Sequence, residues 1–249
     1  MDAKITTLVN KLIEQQGGLQ GIMTKMEQHG LAKTAETWVR KRANLPMIDY
    51  PSIGRSRDIA PDALSADRVC ADLLRVADAA GFDRFAYCGY SWGGAVGLQL
   101  ASRTNRLTAL VIGGWPPLNA PYANILEASR RKIGNVEPGS MAVLRNADQY
   151  RQWSYFYASM KGWPEADAVH SITCPKMVFY GARGDLIEAG LPVNIASIIR
   201  TSRVELARQG WEVLEFADYG HEVCMHGSLI VPPIKAFIDR RFAHSAAIQ

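Results

Sequence analysis

The stretch from Phe85 to Ser102, FAYCGYSWGGAVGLQLAS, constrains the fold of this chain more than any other. Strand-forming residues lead directly into the letters GYSWG at positions 89 to 93, and small and aliphatic residues at helical spacing follow. Glycines two positions before and after a serine leave room for a strained backbone, and a sharp turn there exposes the hydroxyl. The stretch therefore predicts a strand, a tight turn that presents Ser91, and a helix. An ordinary glycine-rich turn has the same pattern, so other parts of the sequence must decide.

From Asp49 onward the sequence alternates between apolar runs and segments with helical periodicity. This alternation is typical of a parallel sheet with crossover helices, because buried parallel strands are continuous apolar runs. The predicted strands cover residues 84–89, 107–114, 176–182 and 211–217. The predicted helices cover residues 64–80, 92–102 and 195–208, and a last helix begins near Pro232 and Pro233. We therefore expect an α/β fold with a mostly parallel sheet.

Two further polar residues follow predicted strands, at the sheet edge where Ser91 is expected. Asp185 comes after the strand that ends near Gly181, and His221 comes after the last strand. A serine hydroxyl needs a histidine to take its proton, and a carboxylate fixes the tautomer of that histidine. The sequence therefore predicts a catalytic triad of Ser91, His221 and Asp185. Three alternatives stay open: Asp185 as a turn residue, His221 as an ordinary loop histidine, and His226 as the base.

The chain order Ser91, Asp185, His221 resembles that of the α/β-hydrolase superfamily. The resemblance runs from residue 49 to residue 242 and includes the turn at Ser91 and the loops that carry Asp185 and His221. The letters DYPSIGRS at positions 49 to 56 are similar to the family's D-x-P-G-x-G-x-S loop, with Ser52 where glycine is usual. The expected fold is therefore α/β-hydrolase-like.

This resemblance implies that the chain is a serine hydrolase of ester or similar acyl bonds, with no metal or organic cofactor. Ser91 would attack the substrate, His221 would move the proton, and Asp185 would orient His221. The backbone N–H of Trp92 would donate a hydrogen bond to the oxyanion. In the family an insertion between core strands forms a helical cap over the site, which we expect here over residues 115–170.

Aromatic residues are concentrated in the expected cap and beside Ser91. Trp115 directly follows a strand end and Tyr90 precedes the nucleophile, so both are expected to contact the substrate. Most other aromatic residues of the cap are expected to form its own small core. An apolar, aromatic pocket suits a small uncharged ester or acyl compound better than a highly charged one.

The first 48 residues differ from the rest, because they carry apolar residues at helical spacing and no strand candidate. Three of their segments resemble the N-terminal part of the YidB-like family: LVNKLIEQQGGLQGIMTKMEQHGL, TWV and NLPMI. We expect a small helical unit over residues 1–48, followed by the α/β-hydrolase-like domain over residues 49–249. The family's first strands would then be missing, together with the loop that donates the second oxyanion N–H. The alternative to a weak hydrolase is therefore a non-catalytic remnant or interaction module.

The missing strands would leave one side of the predicted strand at residues 84–89 without a partner. Three candidates could pair with this unpaired edge or pack over it, and the sequence does not decide among them. The segment LPMID could pair with it, the N-terminal helices could pack across it, or a second copy of the chain could pair there as a homodimer.

The charge and cysteine content give no sign of a nucleic-acid partner, a membrane partner or a metal site. The net charge of +4 comes from basic and acidic residues spread along the chain, and it requires neither a nucleic acid nor a membrane partner. Charges interrupt the apolar pattern of the first residues, so we expect no signal peptide or membrane span and a cytoplasmic location. The four cysteines are far apart and are expected to be reduced and mostly buried, without a metal.

Overall fold

The computed structural model describes residues 48–54, 56–136 and 144–246. The predicted helical unit over residues 1–48 and its YidB-like resemblance lie outside the described residues, except for Ile48. The missing strands and the boundary at residue 48 likewise stay predictions. The chain divides into two compact units, one of residues 65–128 and 156–249 and one of residues 1–64 and 129–155.

The larger unit contains a parallel sheet of four strands. These strands are β1 (Phe85–Tyr90), β2 (Leu107–Gly113), β3 (Lys176–Gly181) and β6 (Trp211–Phe216), and they lie in the order β1-β2-β3-β6. The register places Cys88 opposite Val111, Val111 opposite Met177, and Met177 opposite Glu212. The central strands β2 and β3 are buried almost throughout, as continuous apolar runs require. All four predicted strands and the mostly parallel sheet are therefore confirmed.

Eight α-helices lie among the described residues. They are α1 (Ala66–Ala79), α2 (Trp92–Ala101), α3 (Tyr122–Lys132), α4 (Arg151–Ser159), α5 (Glu165–His170), α6 (Ala196–Thr201), α7 (Arg203–Arg208) and α8 (Gly227–Ala246). Short 3-10 helices cover Pro61–Ala63, Ala147–Tyr150 and His221–Met225. Helices α3, α4 and α5 fall within residues 115–170, and the role of this region as a cap stays a prediction.

The two faces of the sheet are covered by different helices, because side chains alternate along a strand. On one face, Val111, Met177 and Phe179 form a core cluster with Phe237 of α8, and these residues are almost completely buried. Helix α2 contacts β1 and β2 on the other face. This arrangement fixes the N-terminus of α2 next to the carboxyl end of β1.

Three elements differ from the sequence prediction. The expected helix over residues 195–208 is two short helices that meet at Ser202. The last helix begins at Gly227, so Pro232 and Pro233 lie inside it rather than near its start. A hairpin of β4 (Leu186–Glu188) and β5 (Leu191–Val193) was not predicted, because each strand has only three residues.

In the smaller unit, hydrogen bonds within that unit hold the described residues of the loop, 49–54 and 56. Ser52 is buried with a φ of 61°, a conformation that favours glycine, and its Oγ accepts a hydrogen bond from the Ile59 N–H at 3.0 Å. Arg145 donates to the backbone carbonyl of Gly54 at 2.8 Å. The hydroxyl of Ser52 thus gains a partly buried partner at a position whose conformation favours glycine.

The four cysteines are free thiols, but only Cys70 is buried and Cys88 is exposed. Cys174 and Cys224 are partly buried, so the expectation of mostly buried thiols holds only in part. None of the helices in the described ranges is both long enough and apolar enough to cross a membrane.

Candidate active site

Ser91 lies on a strained turn between β1 and α2. Its φ of 53° and ψ of −116° are unfavourable for a residue with a side chain, and it occupies the N-cap position of α2. A Cβ atom at Gly89 would lie 2.4 Å from the carbonyl oxygen of Gly93, so residue 89 must be glycine. A Cβ atom at Gly93 would meet nothing closer than 3.8 Å, so only the first of the two glycines is required sterically.

Hydrogen bonds to the neighbouring strand and helix hold this turn in place. The Ser91 N–H donates to the Gly113 carbonyl of β2 at 2.7 Å, and the Ser91 carbonyl accepts from the Gly94 N–H at 2.8 Å. Trp92 is the first residue of α2, and the first N–H groups of a helix have no partner within the helix. The Trp92 N–H therefore follows directly after Ser91 in the chain, and its role as an oxyanion donor stays a prediction.

His221 lies directly against Ser91. Its Nε2 atom is 2.9 Å from the Ser91 Oγ, although 130 residues separate the two in the sequence. Both follow the carboxyl ends of strands of the same parallel sheet, which meet at one edge. The distance is short enough for a neutral imidazole to take the proton of the hydroxyl.

The environment of His221 favours its neutral form. Burial lowers the pKa of the imidazole from its usual range, and the charges of Glu188 and Glu222 partly offset this effect. A ring that is neutral near pH 7 can act as a general base.

Asp185 makes no hydrogen bond to His221 among the described residues, and its role as the triad acid stays a prediction. Its carboxylate accepts hydrogen bonds from the N–H of Ser197, at 3.0 Å, and from the Ser197 hydroxyl. The Nδ1 atom of His221 is buried and has no hydrogen-bond partner among the described residues. Ser197 lies in the first turn of α6, whose N–H groups attract a carboxylate, which explains the position of Asp185. The structure thus brings together Ser91 and His221 but not the third member.

Tyr90 contacts the segment that carries His221. Its hydroxyl donates a hydrogen bond to the backbone carbonyl of His221 at 2.5 Å. Its ring packs against the His221 ring at 5.1 Å and the Phe179 ring at 5.6 Å, measured between centroids. The side chain is therefore directed toward the loop after β6, and a direct contact with substrate stays a prediction.

Trp115 is buried, with only 2% of its surface exposed. Its ring packs against Tyr122 at 5.5 Å and is stacked against Tyr157 at 6.0 Å. This packing makes Trp115 part of an aromatic cluster, whereas the sequence predicts a pocket wall. A direct contact with substrate stays a prediction.

Sequence reasoning missed two polar residues that bear on the predicted triad. Ser197 engages Asp185, and Glu188 is the carboxylate whose charge raises the pKa of His221 most. Glu188 was missed because it lies on the hairpin that periodicity did not reveal. Ser197 was missed because a serine in a helical segment gives no signal of its partner.

The family model described as the alpha/beta hydrolase fold matches residues 27–124. The match begins within the first 48 residues, for which a YidB-like unit is predicted. No curated protein gives a significant match to the chain.

Solved structures give broader similarity. A carboxylesterase structure from the thaumarchaeon Nitrososphaera gargenis superposes with a TM-score of 0.59 at 12% identity, covering 79% of each chain. A thermophilic esterase from Thermogutta terrifontis superposes with a TM-score of 0.58 at 16% identity, covering 78% of each chain. The enol-lactonase from Burkholderia xenovorans LB400 superposes with a TM-score of 0.58 at 16% identity, covering 77% of this chain and 79% of the other. Together with the sheet order and the turn at Ser91, these similarities show that the chain has the α/β-hydrolase fold.

Proposed function

We propose that the chain is a serine hydrolase that cleaves ester or similar acyl bonds of small uncharged substrates. The observation that carries this proposal is the 2.9 Å distance between the His221 Nε2 and the Ser91 Oγ on a strained turn. Similar folds in an esterase and a lactonase support the same class of reaction.

The reaction follows from the positions of the two side chains. Ser91 Oγ attacks the acyl carbon while His221 Nε2 takes its proton, and the oxyanion that forms accepts a hydrogen bond from the Trp92 N–H. His221 then gives the proton to the leaving group, and the acyl group stays on Ser91. Water attacks this acyl-enzyme with His221 again acting as the base, which restores the free serine.

We assign Asp185 as the acid that stabilises the protonated His221, as its position after β3 predicts. For this role its carboxylate must exchange the Ser197 hydrogen bonds for one from Nδ1. His221 Nδ1 has no hydrogen-bond partner among the described residues, and only one oxyanion donor is identified. Both features favour a slow enzyme, since loss of one oxyanion donor lowers kcat about 10²- to 10³-fold in comparable sites.

The second candidate is a non-catalytic remnant or interaction module, and the lack of a partner for His221 Nδ1 among the described residues favours it. The two candidates differ in the effect of substitutions on hydrolysis of a small activated ester. For the hydrolase, Ser91→Ala and His221→Ala each reduce the rate about as much as the double substitution, because the residues act as a unit. His226→Ala is the control, because the His226 ring packs against Tyr219 at 4.7 Å and the variant is expected to keep its activity. Wild-type chain that is folded but shows no hydrolysis above background favours the remnant, whereas a rate that survives Ser91→Ala contradicts the assignment of Ser91.

A further inference from the structure

The hydrogen bond from Tyr90 to His221 links the residue before the nucleophile to the base. The Tyr90 hydroxyl lies 2.5 Å from the His221 carbonyl oxygen, and no triad carboxylate contacts the imidazole in the described residues. The position of the ring is therefore set by Tyr90 on one side and Ser91 on the other.

Gly114 closes the space around these two rings. A Cβ atom at this residue would lie 2.6 Å from the Cζ of Tyr90 and 2.9 Å from the Cε1 of His221. The Gly114 backbone thus lies against both side chains. Such a close fit restricts how far the Tyr90 and His221 rings can rotate.

We propose that Tyr90 is a positioning residue that holds His221 in line with Ser91. This role rests on the proposed function. The Tyr90 hydroxyl fixes the backbone of the loop after β6, and the Tyr90 ring fixes the plane of the imidazole. Because Tyr90 and Ser91 are consecutive at the end of β1, a single strand sets the distance between nucleophile and base.

The ionisation of Tyr90 agrees with this role. Burial raises the pKa of its hydroxyl above the usual range, so the group stays protonated and remains a donor throughout the pH range in which His221 titrates. Phe179 of β3 also packs against the Tyr90 ring, which restricts its movement and helps to keep the hydroxyl directed at the His221 carbonyl.

Tyr90→Phe is the sharpest variant, because it removes the hydroxyl and keeps the ring. We expect kcat to fall about five- to tenfold with little change in KM, as for the loss of one hydrogen bond that orients the base. Tyr90→Leu, which also removes the ring, is expected to reduce kcat further. The matched variant is Tyr87→Phe, because the Tyr87 hydroxyl also lies on β1 and donates to a backbone carbonyl, that of Gly93 at 2.7 Å.

A second measurement follows the imidazole directly and needs no turnover. The His221 Cε1–H resonance is titrated by NMR in the full chain and assigned by its loss in His221→Asn. The charges that act on this ring are Glu188 of β4 and Glu222 of the adjacent 3-10 helix, and both are kept in the variants. Looser packing in Tyr90→Phe admits water, so the pKa of His221 should rise toward its usual range, whereas Tyr87→Phe should leave it unchanged.

The outcomes separate this proposal from the proposed function. A shifted titration in Tyr90→Phe alone supports the positioning role even if the wild-type chain shows no hydrolysis, which would overturn only the proposed function. A folded Tyr90→Phe variant with unchanged titration and unchanged kcat overturns the positioning role. Equal shifts in the Tyr90 and Tyr87 variants also overturn it, because they indicate a general loosening of β1.

Discussion

The carboxylate of Asp185 is bonded to Ser197, at 3.0 Å from its N–H, while His221 has no carboxylate on its Nδ1 among the residues that the structure describes. A histidine that becomes protonated during a reaction is stabilised by a nearby negative charge. Besides Glu222 of the adjacent 3-10 helix, two carboxylates that follow β3 in the chain can supply that charge. They are Asp185, which must leave Ser197, and Glu188, whose charge already acts on the ring.

Replacing these two carboxylates separately should identify the acid. We expect Asp185→Asn to lower kcat by up to about 10⁴-fold, as for loss of the triad acid. Glu188→Gln should cost less than about tenfold, because its charge acts on the ring without a hydrogen bond to it. Steady-state hydrolysis of a small ester measures both. The reverse order of effects would assign the acid to Glu188 and contradict our assignment.

The activity should extend to a lower pH than an ordinary histidine allows. Because burial lowers the pKa of His221, the neutral ring persists below about pH 6.5, so the acid limb of kcat/KM should have its midpoint below that value. In the unfolded chain His221 takes up a proton near pH 6.5, whereas in the folded chain it does so only at lower pH. The contribution of His221 to the free energy of unfolding is therefore present above pH 6.5 and is lost as the pH falls. An acid limb centred above pH 6.5 would contradict the buried environment of His221.

Gly114→Ala should damage both the fold and the site. Its φ is +58°, and the new methyl group would meet Tyr90 and His221 at less than 3 Å. Gly162→Ala is the matched control, because Gly162 has a φ of +80° but a methyl group there would meet nothing within 4 Å. We expect about 1 to 2 kcal/mol of destabilisation from the backbone in both variants, and a further ~1 to 3 kcal/mol in Gly114→Ala from the clash. Denaturant unfolding compares the two. Equal losses of stability would argue against the close packing around Gly114.

The edge of the sheet gives a prediction about the N-terminal residues. Strand β1 has a partner on one side only in the described sheet, and an open strand edge promotes association. If residues 1–44 cover this edge, their deletion should cause aggregation, which light scattering detects. If a homodimer covers it, the full chain should scatter as a dimer. A truncated chain that is a stable monomer contradicts both covers and leaves only pairing by the LPMID segment.

The sequence was most informative where short-range patterns determine the structure. The bounds of β1, β2, β3 and β6 follow from continuous apolar runs, and the turn at Ser91 follows from the residues around it. The hairpin of β4 and β5 could not be predicted, because its turn has Ala189 at a φ of 48° followed by Gly190, and alanine rarely adopts that conformation. The orientation of Asp185 and Tyr90 depends on Ser197 and His221, which are distant in sequence or belong to another element, so no local pattern reveals it.

The central claim is that Ser91 is a nucleophile activated by His221, and active-site labelling tests it most directly. A fluorophosphonate probe should modify the folded wild-type chain once, at Ser91, with a mass shift located by peptide mapping. Ser91→Ala should not be labelled, and His221→Ala should be labelled far more slowly, while His226→Ala keeps the wild-type rate. Folded wild-type chain that remains unlabelled, or that is labelled equally fast without His221, would contradict the account.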